Sequence, residues 1–269
     1  MRCPLLSIVI VGLLLVPHTA AKTLYIDGST GTKPLIEALA CDYRQTNPDT
    51  DVMIGKGLTP TERISALLDQ KIDIAMASHG VDFESFTALG LNVHRIASIA
   101  VVFGVNHNVD IISINKKQLC DIYTQHTTDW GQLGSSGDII RPFIRPFTEV
   151  DAEVVAAYLP CISSELLTAN IQVKHKSGQM AFALAGTPGA IGMTNMVRVT
   201  QSQQQIRALA LDGISPTSHN LANGTYTLSR DVYLITRTDS DDTVAAFISF
   251  IRSAAGQSVM KANNAAPAI

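Results

Sequence analysis

Apolar and polar positions fall in short blocks along this chain, and the period of the pattern switches at Gly-, Ser- and Pro-rich turns. Leu24, Tyr25 and Ile26 form a brief apolar run that stops at Asp27-Gly28-Ser29-Thr30-Gly31. Pro34 then opens a stretch with apolar residues at Leu35, Ile36, Leu39, Ala40 and Tyr43, spaced three and four apart. That pattern predicts a strand, a turn and a helix. The same alternation continues. Asp51–Ile54 reads as a strand, Gly55-Lys56-Gly57 as a turn, and Thr59–Gln70 as a helix capped by Thr59 or Thr61. Ile72–Met76 is a strand ending at Ala77-Ser78-His79, and Val93–Val105 is long and apolar enough for a fully buried strand. Helices are predicted over Lys116–Tyr123, Glu149–Leu159, Ser177–Ala185 and Thr243–Ser253. Strands are predicted over Ile139–Ile144, Ala190–Thr194, Ile206–Leu211 and Tyr226–Thr236.

Strands alternating with helices imply an α/β fold with largely parallel sheets. No low-complexity linker and no repeat separates the elements, so two domains would have to be joined by crossing strands. The runs near 101–106 and 191–196 suit that role. They predict a first lobe made of residues 22–104 and 195–269, with a second lobe, 105–194, inserted in it.

The first 21 residues follow another rule. Arg2, the apolar core Leu5–Val16 and the small residues Thr19-Ala20-Ala21 have the layout of a secretory signal. The apolar core is shorter than the roughly 20 residues that a membrane span needs. The expectation is a periplasmic or secreted protein cleaved near Ala21. Without Arg2 the chain carries 19 basic and 23 acidic side chains, a formal charge of −4. It has no Lys/Arg run and few aromatic residues, which argues against nucleic acid as a partner.

Export permits a disulfide. Of the three remaining cysteines, Cys120 and Cys161 fall in helical stretches assigned to the same domain, which makes them the candidate pair and leaves Cys41 over. The alternative is three buried small apolar residues. No cysteine shows metal-ligand spacing and the histidines are scattered, so neither a cofactor nor a metal is expected.

The Ser29-Thr30-Gly31 turn brings hydroxyls and backbone N–H groups to the positive end of a helix, an arrangement that binds anions. It is equally the layout of an N-cap formed by Ser29 or Thr30.

Several pieces together resemble one family. They are Asp27-Gly28-Ser29-Thr30; Asp73-Ile74-Ala75-Met76-Ala77-Ser78; Gln118-Leu119 with Ile122-Tyr123, Thr128 and Trp130; and Pro188–Gly192. Pro216-Thr217, Asn220 and Gly224-Thr225-Tyr226-Thr227-Leu228-Ser229-Arg230 complete the series. In order and spacing the chain resembles the phosphate-binding proteins of bacterial ABC uptake systems, within the two-domain periplasmic solute-binding proteins. The resemblance implies a Venus-flytrap clamp whose α/β lobes close on an oxyanion. It implies four converging loops: Ser29, Thr30 and Gly31; Lys56 and Gly57; Ser78 and His79; and Arg145, Thr148, Glu149 and Asp151.

Three of those loops depart from the family pattern. Lys56 stands where a Ser or Thr usually lies, and His79 where phosphate-specific members often carry an Asp. The family's Gly-Ser-Gly-Thr after the arginine has become Thr148-Glu149-Val150-Asp151, with acids at its Ser and Thr positions. Two carboxylates facing an oxyanion are unfavourable unless paired or turned away. As first-turn residues they suit the helix dipole, with Thr148 as N-cap. Pairing of Lys56 or Arg145 with Glu149 or Asp151 would make the cleft nearly neutral.

The resulting expectation is a monomeric, exported solute-binding protein that captures a small oxyanion, phosphate first, for an ABC permease in the inner membrane. The alternative is a diverged binding or sensor protein with a weakened site. No Gly-x-Ser-x-Gly elbow, HExxH motif or metal cluster points to an enzyme.

Overall fold

The computed structural model describes residues 22–163 and 171–268; the leader expected at 1–21 lies outside them. In chain order, β1 (Lys22–Gly28) leads to α1 (Lys33–Thr46), β2 (Thr50–Ile54), α2 (Pro60–Leu68) and β3 (Ile74–Ala77). α3 (Phe83–Ala88) precedes the long β4 (Leu91–Asn106). Next come β5 (Ser113–Ile114), α4 (Lys116–Tyr123), β6 (Arg141–Ile144), α5 (Val150–Tyr158), β7 (Gln172–Val173), α6 (Ser177–Gly186) and β8 (Ala190–Asn195). α7 (Met196–Thr200), β9 (Ile206–Ala208), β10 (Ala210–Leu211), α8 (Ser218–Ala222) and β11 (Ser229–Arg237) follow. α9 (Asp242–Arg252), α10 (Ala254–Ala262) and β12 (Ala265–Pro267) come last.

The architecture is α/β with a mixed sheet in the order β2-β1-β3-β11-β4-β8-β6-β7. The β2-β1, β1-β3, β8-β6 and β6-β7 pairs are parallel, whereas β3-β11 and the pairs along β4 are antiparallel. β4 is the shared spine. Its first part, Leu91–Ala100, pairs with β11, and from Val101 onward it pairs with β8 and β9. Two groups of elements therefore meet at residues 100 and 101 of a single strand. One face of the first group packs Leu35, Ile36 and Leu39 of α1 against Leu24, Ile99, Leu234 and Phe247. Leu67 and Phe86, from α2 and α3, cover its other face. A separate core gathers Val102, Phe103, Leu119, Tyr123, Trp130, Val155, Leu184 and Ile191.

Several quoted motifs prove to be braces of this scaffold. The buried Trp130 indole donates to the Gly189 carbonyl at 3.0 Å, pinning the Pro188–Gly192 turn. Gly189 has φ +72°, and a Cβ there would stand 2.2 Å from the Ile139 carbonyl oxygen. Tyr226 donates to the Val101 carbonyl at 2.9 Å, at the place where β4 changes partners. Burial makes such bonds costly to lose, since an abandoned carbonyl keeps its full desolvation penalty.

The structure corrects some boundaries. The single strand expected at Ile206–Leu211 is two short ones, because β9 pairs with β4 whereas β10 pairs with β5. α5 is preceded by Glu149, not Thr148, as N-cap, and that cap makes no side-chain hydrogen bond. α1 starts from Thr32, so neither Ser29 nor Thr30 caps it. The helix expected over Thr243–Ser253 is followed almost at once by a second, α10. Ser253 caps it by accepting from the Gly256 N–H, and a Cβ on Gly256 would meet the Ile251 carbonyl oxygen at 2.5 Å. That glycine permits a close junction of two helices.

Cys120 of α4 and Cys161, just beyond α5, form a disulfide with Cα atoms 5.7 Å apart, while Cys41 is free and exposed. The bond closes a sequence separation of 41 residues. Replacing both cysteines with serine is expected to lower stability by about 2–4 kcal/mol, chiefly by freeing the unfolded chain. Urea denaturation of the double variant against the oxidised protein checks this.

Candidate functional site

The parallel pairing of β1 with β2 and β3 sets the first wall. Gly28 lies beside Met76, so the turn after β1 and the Ser78-His79 segment after β3 emerge together. Gly28 (φ +139°) could not be replaced, because a Cβ would fall 2.2 Å from the Met76 carbonyl oxygen. The Asp27 carboxylate accepts the Gly28 N–H at 2.7 Å and the Gly57 N–H at 2.9 Å, tying the first two loops together. The Gly57 donor is therefore committed to Asp27. The backbone N–H groups of Thr30 and Gly31 have no acceptor among the described residues. These loops lie at the carboxyl ends of strands and at the starts of helices, the usual ligand side of an α/β sheet.

Arg230 is the centre of the site. It sits on β11 opposite Ile99 of β4, one residue from where β4 changes partners. Its side chain is fully buried and extends to the first wall. Nη1 donates to Ser78 Oγ at 2.7 Å, and Ser78 Oγ lies 3.3 Å from Ser29 Oγ. Gly31 makes the space for this guanidinium, since a Cβ there would stand 2.5 Å from Nη2. Asn195, at the end of β8, donates to the Gly31 carbonyl at 3.4 Å.

The second wall follows β6. Arg145 is 2% exposed and pairs through Nη2 with Glu149 Oε2, the N-cap of α5. Asp151 is 3% exposed and points across to Arg230, its Oδ1 2.9 Å from Nε. That N–H is not aligned with Oδ1, so the contact is an ion pair in which neither atom makes a hydrogen bond. Arg145 Nε and Nη1 and Arg230 Nη2 are also buried without a partner. Two guanidinium groups thus present unsatisfied donors in a water-poor site, while Glu149 and Asp151 offset their charge. Burial pulls Arg230 below the ordinary arginine range, with Asp151 opposing the shift. Arg198 of α7 adds a third guanidinium, lowered chiefly by burial and further by the charges of Arg145 and Arg230.

His79 is half-buried beside this cluster, with Nδ1 buried and unpartnered. Desolvation, then the neighbouring Arg63, holds it below its ordinary value of 6.5. Arg63 is fully buried, is pulled down to about 10 by that burial, and donates to the His79 and Gly80 carbonyls. It fixes the path of the third loop. Of the residues expected in the cleft, Ser29, Gly31, Ser78, Arg145, Glu149 and Asp151 converge, with Thr30 and His79 alongside. Lys56 and Thr148 are exposed to solvent, and neither pairs with a carboxylate among the described residues. No group of three His, Cys, Asp or Glu side chains spaced to hold a metal is found among the described residues.

Arg230 was not among the candidate ligands, although it is the last residue of the Gly-x-Tyr-x-Leu-x-Arg motif. An arginine at the start of a strand otherwise buried at alternate positions is the signal that singles it out. Arg63, Arg198 and Asn195 had no comparable mark, since only the fold brings them near the cleft.

Two α/β halves sharing a strand, with arginines and hydroxyls meeting at their facing edges, define a two-lobed solute-binding clamp. The chain belongs to the PBP superfamily, whose domain profile matches residues 16–255. It is 25% identical over 239 residues to the phosphate-binding protein PstS of Bacillus subtilis (strain 168), covering 87% of this chain and 76% of that protein. It is 22% identical over 248 residues to the phosphate-binding protein PstS of Borreliella burgdorferi, covering 89% and 88%. Among solved structures, a putative phosphate ABC transporter substrate-binding protein with bound phosphate from Clostridium perfringens shares the fold. The TM-score is 0.74 at 24% identity, over 92% of this chain and 100% of that one.

Two outcomes follow from the geometry. Gly31→Ala must displace the Arg230 guanidinium and is expected to cost about 1–3 kcal/mol of stability, read by denaturant unfolding. His79 stays neutral in the folded protein at pH values where the unfolded chain would protonate it. Its contribution to stability is whole above pH 6.5 and is lost as pH falls below that value. Stability measured between about pH 7 and about pH 5.5 should decline, and His79→Gln should flatten the decline. His94, lowered by its own burial and by Arg252, contributes in the same direction and remains in that variant.

Proposed function

We propose that this protein is exported by its leader, captures inorganic phosphate in the cleft between Arg145 and Arg230, and delivers it to an ABC permease. The observation that carries this reading is the set of buried, unpartnered guanidinium donors converging from both walls. Guanidinium forks match the geometry of tetrahedral oxyanions and bind them bidentately. Ser29, Ser78 and the Thr30 and Gly31 N–H groups supply further donors from the first wall, and His79 stands beside them. The named activity of the relatives from Bacillus subtilis and Borreliella burgdorferi agrees with it. The lobes are taken as residues 22–104 with 195–269, and 105–194, closing about β4 and β8. The protein acts as a monomer and without catalysis; the site offers donors and no activated nucleophile.

A second reading is a binding or sensor protein that has left transport, with a weakened site. The carboxylates of Glu149 and Asp151 favour it, since each already sits on one of the two arginines.

Titration calorimetry with inorganic phosphate at neutral pH tests the leading reading. One site per chain is expected. Arg145→Ala should weaken binding by about 30-fold to several thousandfold, the usual effect of losing one buried charged partner. No binding, or binding indifferent to Arg145→Ala, would overturn it. Micromolar or tighter binding by the unaltered protein would instead remove the weakened-site reading.

A further inference from the structure

The side-on edge of Arg230, Nε with Nη2, is the edge that a guanidinium offers to a bidentate oxyanion. In this protein Asp151 Oδ1 already lies 2.9 Å from its Nε. The opposite side of the same guanidinium is fixed by Ser78, and Gly31 closes over Nη2. The internal carboxylate therefore stands on the edge that Ser78 leaves open. It reaches there from the first turn of α5, on the wall opposite the strand that bears Arg230. It is almost completely buried, yet its Oδ1 makes no aligned hydrogen bond, and Nη2 beside it also lacks an acceptor. A carboxylate that served only to neutralise a buried arginine would settle into the fork geometry that satisfies both nitrogens. This one holds the charge of Arg230 without saturating its donors.

We propose that Asp151 is an affinity-setting residue of the cleft, an internal anion that occupies the oxyanion position on Arg230 and with which the solute must compete. The proposal rests on the oxyanion-binding reading of the same cleft. Binding is then an exchange. An external oxyanion takes the Nε/Nη2 edge, and the Asp151 carboxylate must withdraw or accept a proton's hydrogen bond from the incoming anion. Glu149 does not share this role, because its partner Arg145 keeps two other unpartnered donors and Glu149 itself is partly open to solvent. Asp151 also links the two walls, so its withdrawal couples solute capture to their relative position. A solute must therefore engage the fixed donors well enough to displace a carboxylate, which sets a threshold against poorly fitting acceptors.

The experiment compares inorganic phosphate affinity, by calorimetry at neutral pH, in the unaltered protein, Asp151→Asn and Asp151→Ser. Asparagine keeps the shape and removes the charge. Removing a like charge at such a distance is expected to tighten phosphate binding by on the order of tenfold to a hundredfold. Stability without phosphate should fall in both variants, because Arg230 loses its counter-ion. The rise in melting temperature on adding phosphate should exceed that of the unaltered protein, a readout that survives partial destabilisation. Unchanged or weaker phosphate binding in both variants, with the unaltered protein still binding, would overturn the role of Asp151 and leave the phosphate reading intact. Absence of phosphate binding in all three proteins would overturn the phosphate reading, and this inference with it.

Discussion

The buried ion pair between Arg230 and Asp151 is the constraint on which the rest of the site depends. A guanidinium removed from water is expensive to keep charged unless other groups replace its hydration. Arg230 receives that replacement from Ser78 after β3 and from Asp151 in α5, while Gly31, in the turn after β1, leaves the room that the guanidinium occupies. Each belongs to a different segment of the chain. The pair therefore requires the whole fold to be assembled, and the fold in turn has one arrangement in which Arg230 is accommodated.

β4 explains why those segments meet. Because it pairs with β11 up to Ala100 and with β8 from Val101, residues opposite its centre face both groups of elements. Arg230, opposite Ile99, and Asn195, opposite Val101, are those residues. Tyr226 holds the crossing point through its bond to the Val101 carbonyl. The Gly-x-Tyr-x-Leu-x-Arg segment thus combines two tasks, with its tyrosine bracing the spine and its arginine entering the cleft. Antiparallel pairing along the spine joins the two groups of elements, while the parallel pairs on either side place strand ends and helix starts at the edges of the cleft.

Much of this organisation could be read before the structure. The period switches at Asp27–Gly31, Gly55–Gly57 and Ser78-His79 located three turns that do lie together at one end of the sheet. The alternation of strands and helices gave the α/β class, and β4 was visible as an overlong apolar run. The short helices α3, α7 and α8 were not visible, because six or fewer residues carry too little periodicity. Pairing between side chains was harder still. Glu149 and Asp151 read as acids suited to a helix start, and both do lie there, but which arginine each one meets depends on tertiary approach. Arg145 and Glu149 are four residues apart and within local reach. Asp151 and Arg230 are far apart in sequence, and no local rule could join them. Lys56 looked like a cleft cation from its place between two glycines, yet the tie from Asp27 to Gly57 fixes the loop while Lys56 remains exposed.

The acids of α5 show how one local preference serves two levels of structure. Carboxylates near a helix N-terminus are favoured by the unsatisfied N–H groups and the dipole there. Hydroxyls at those positions would stabilise the helix start comparably and leave the arginines free to bind an anion. With carboxylates, the helix start keeps its electrostatic support, and the two guanidinium groups gain partners that never leave the chain. The donors that remain without an aligned acceptor, Arg145 Nε and Nη1 and Arg230 Nε and Nη2, are in surplus over the charge that remains. A site of that kind discriminates by hydrogen-bond geometry more than by charge. Long-range attraction of any anion is largely cancelled by the internal pair, whereas an acceptor that fits several fixed donors at once still gains from each of them. On the oxyanion-binding reading of the cleft, the α5 carboxylates shift the clamp from holding an anion for its charge towards holding one for its shape.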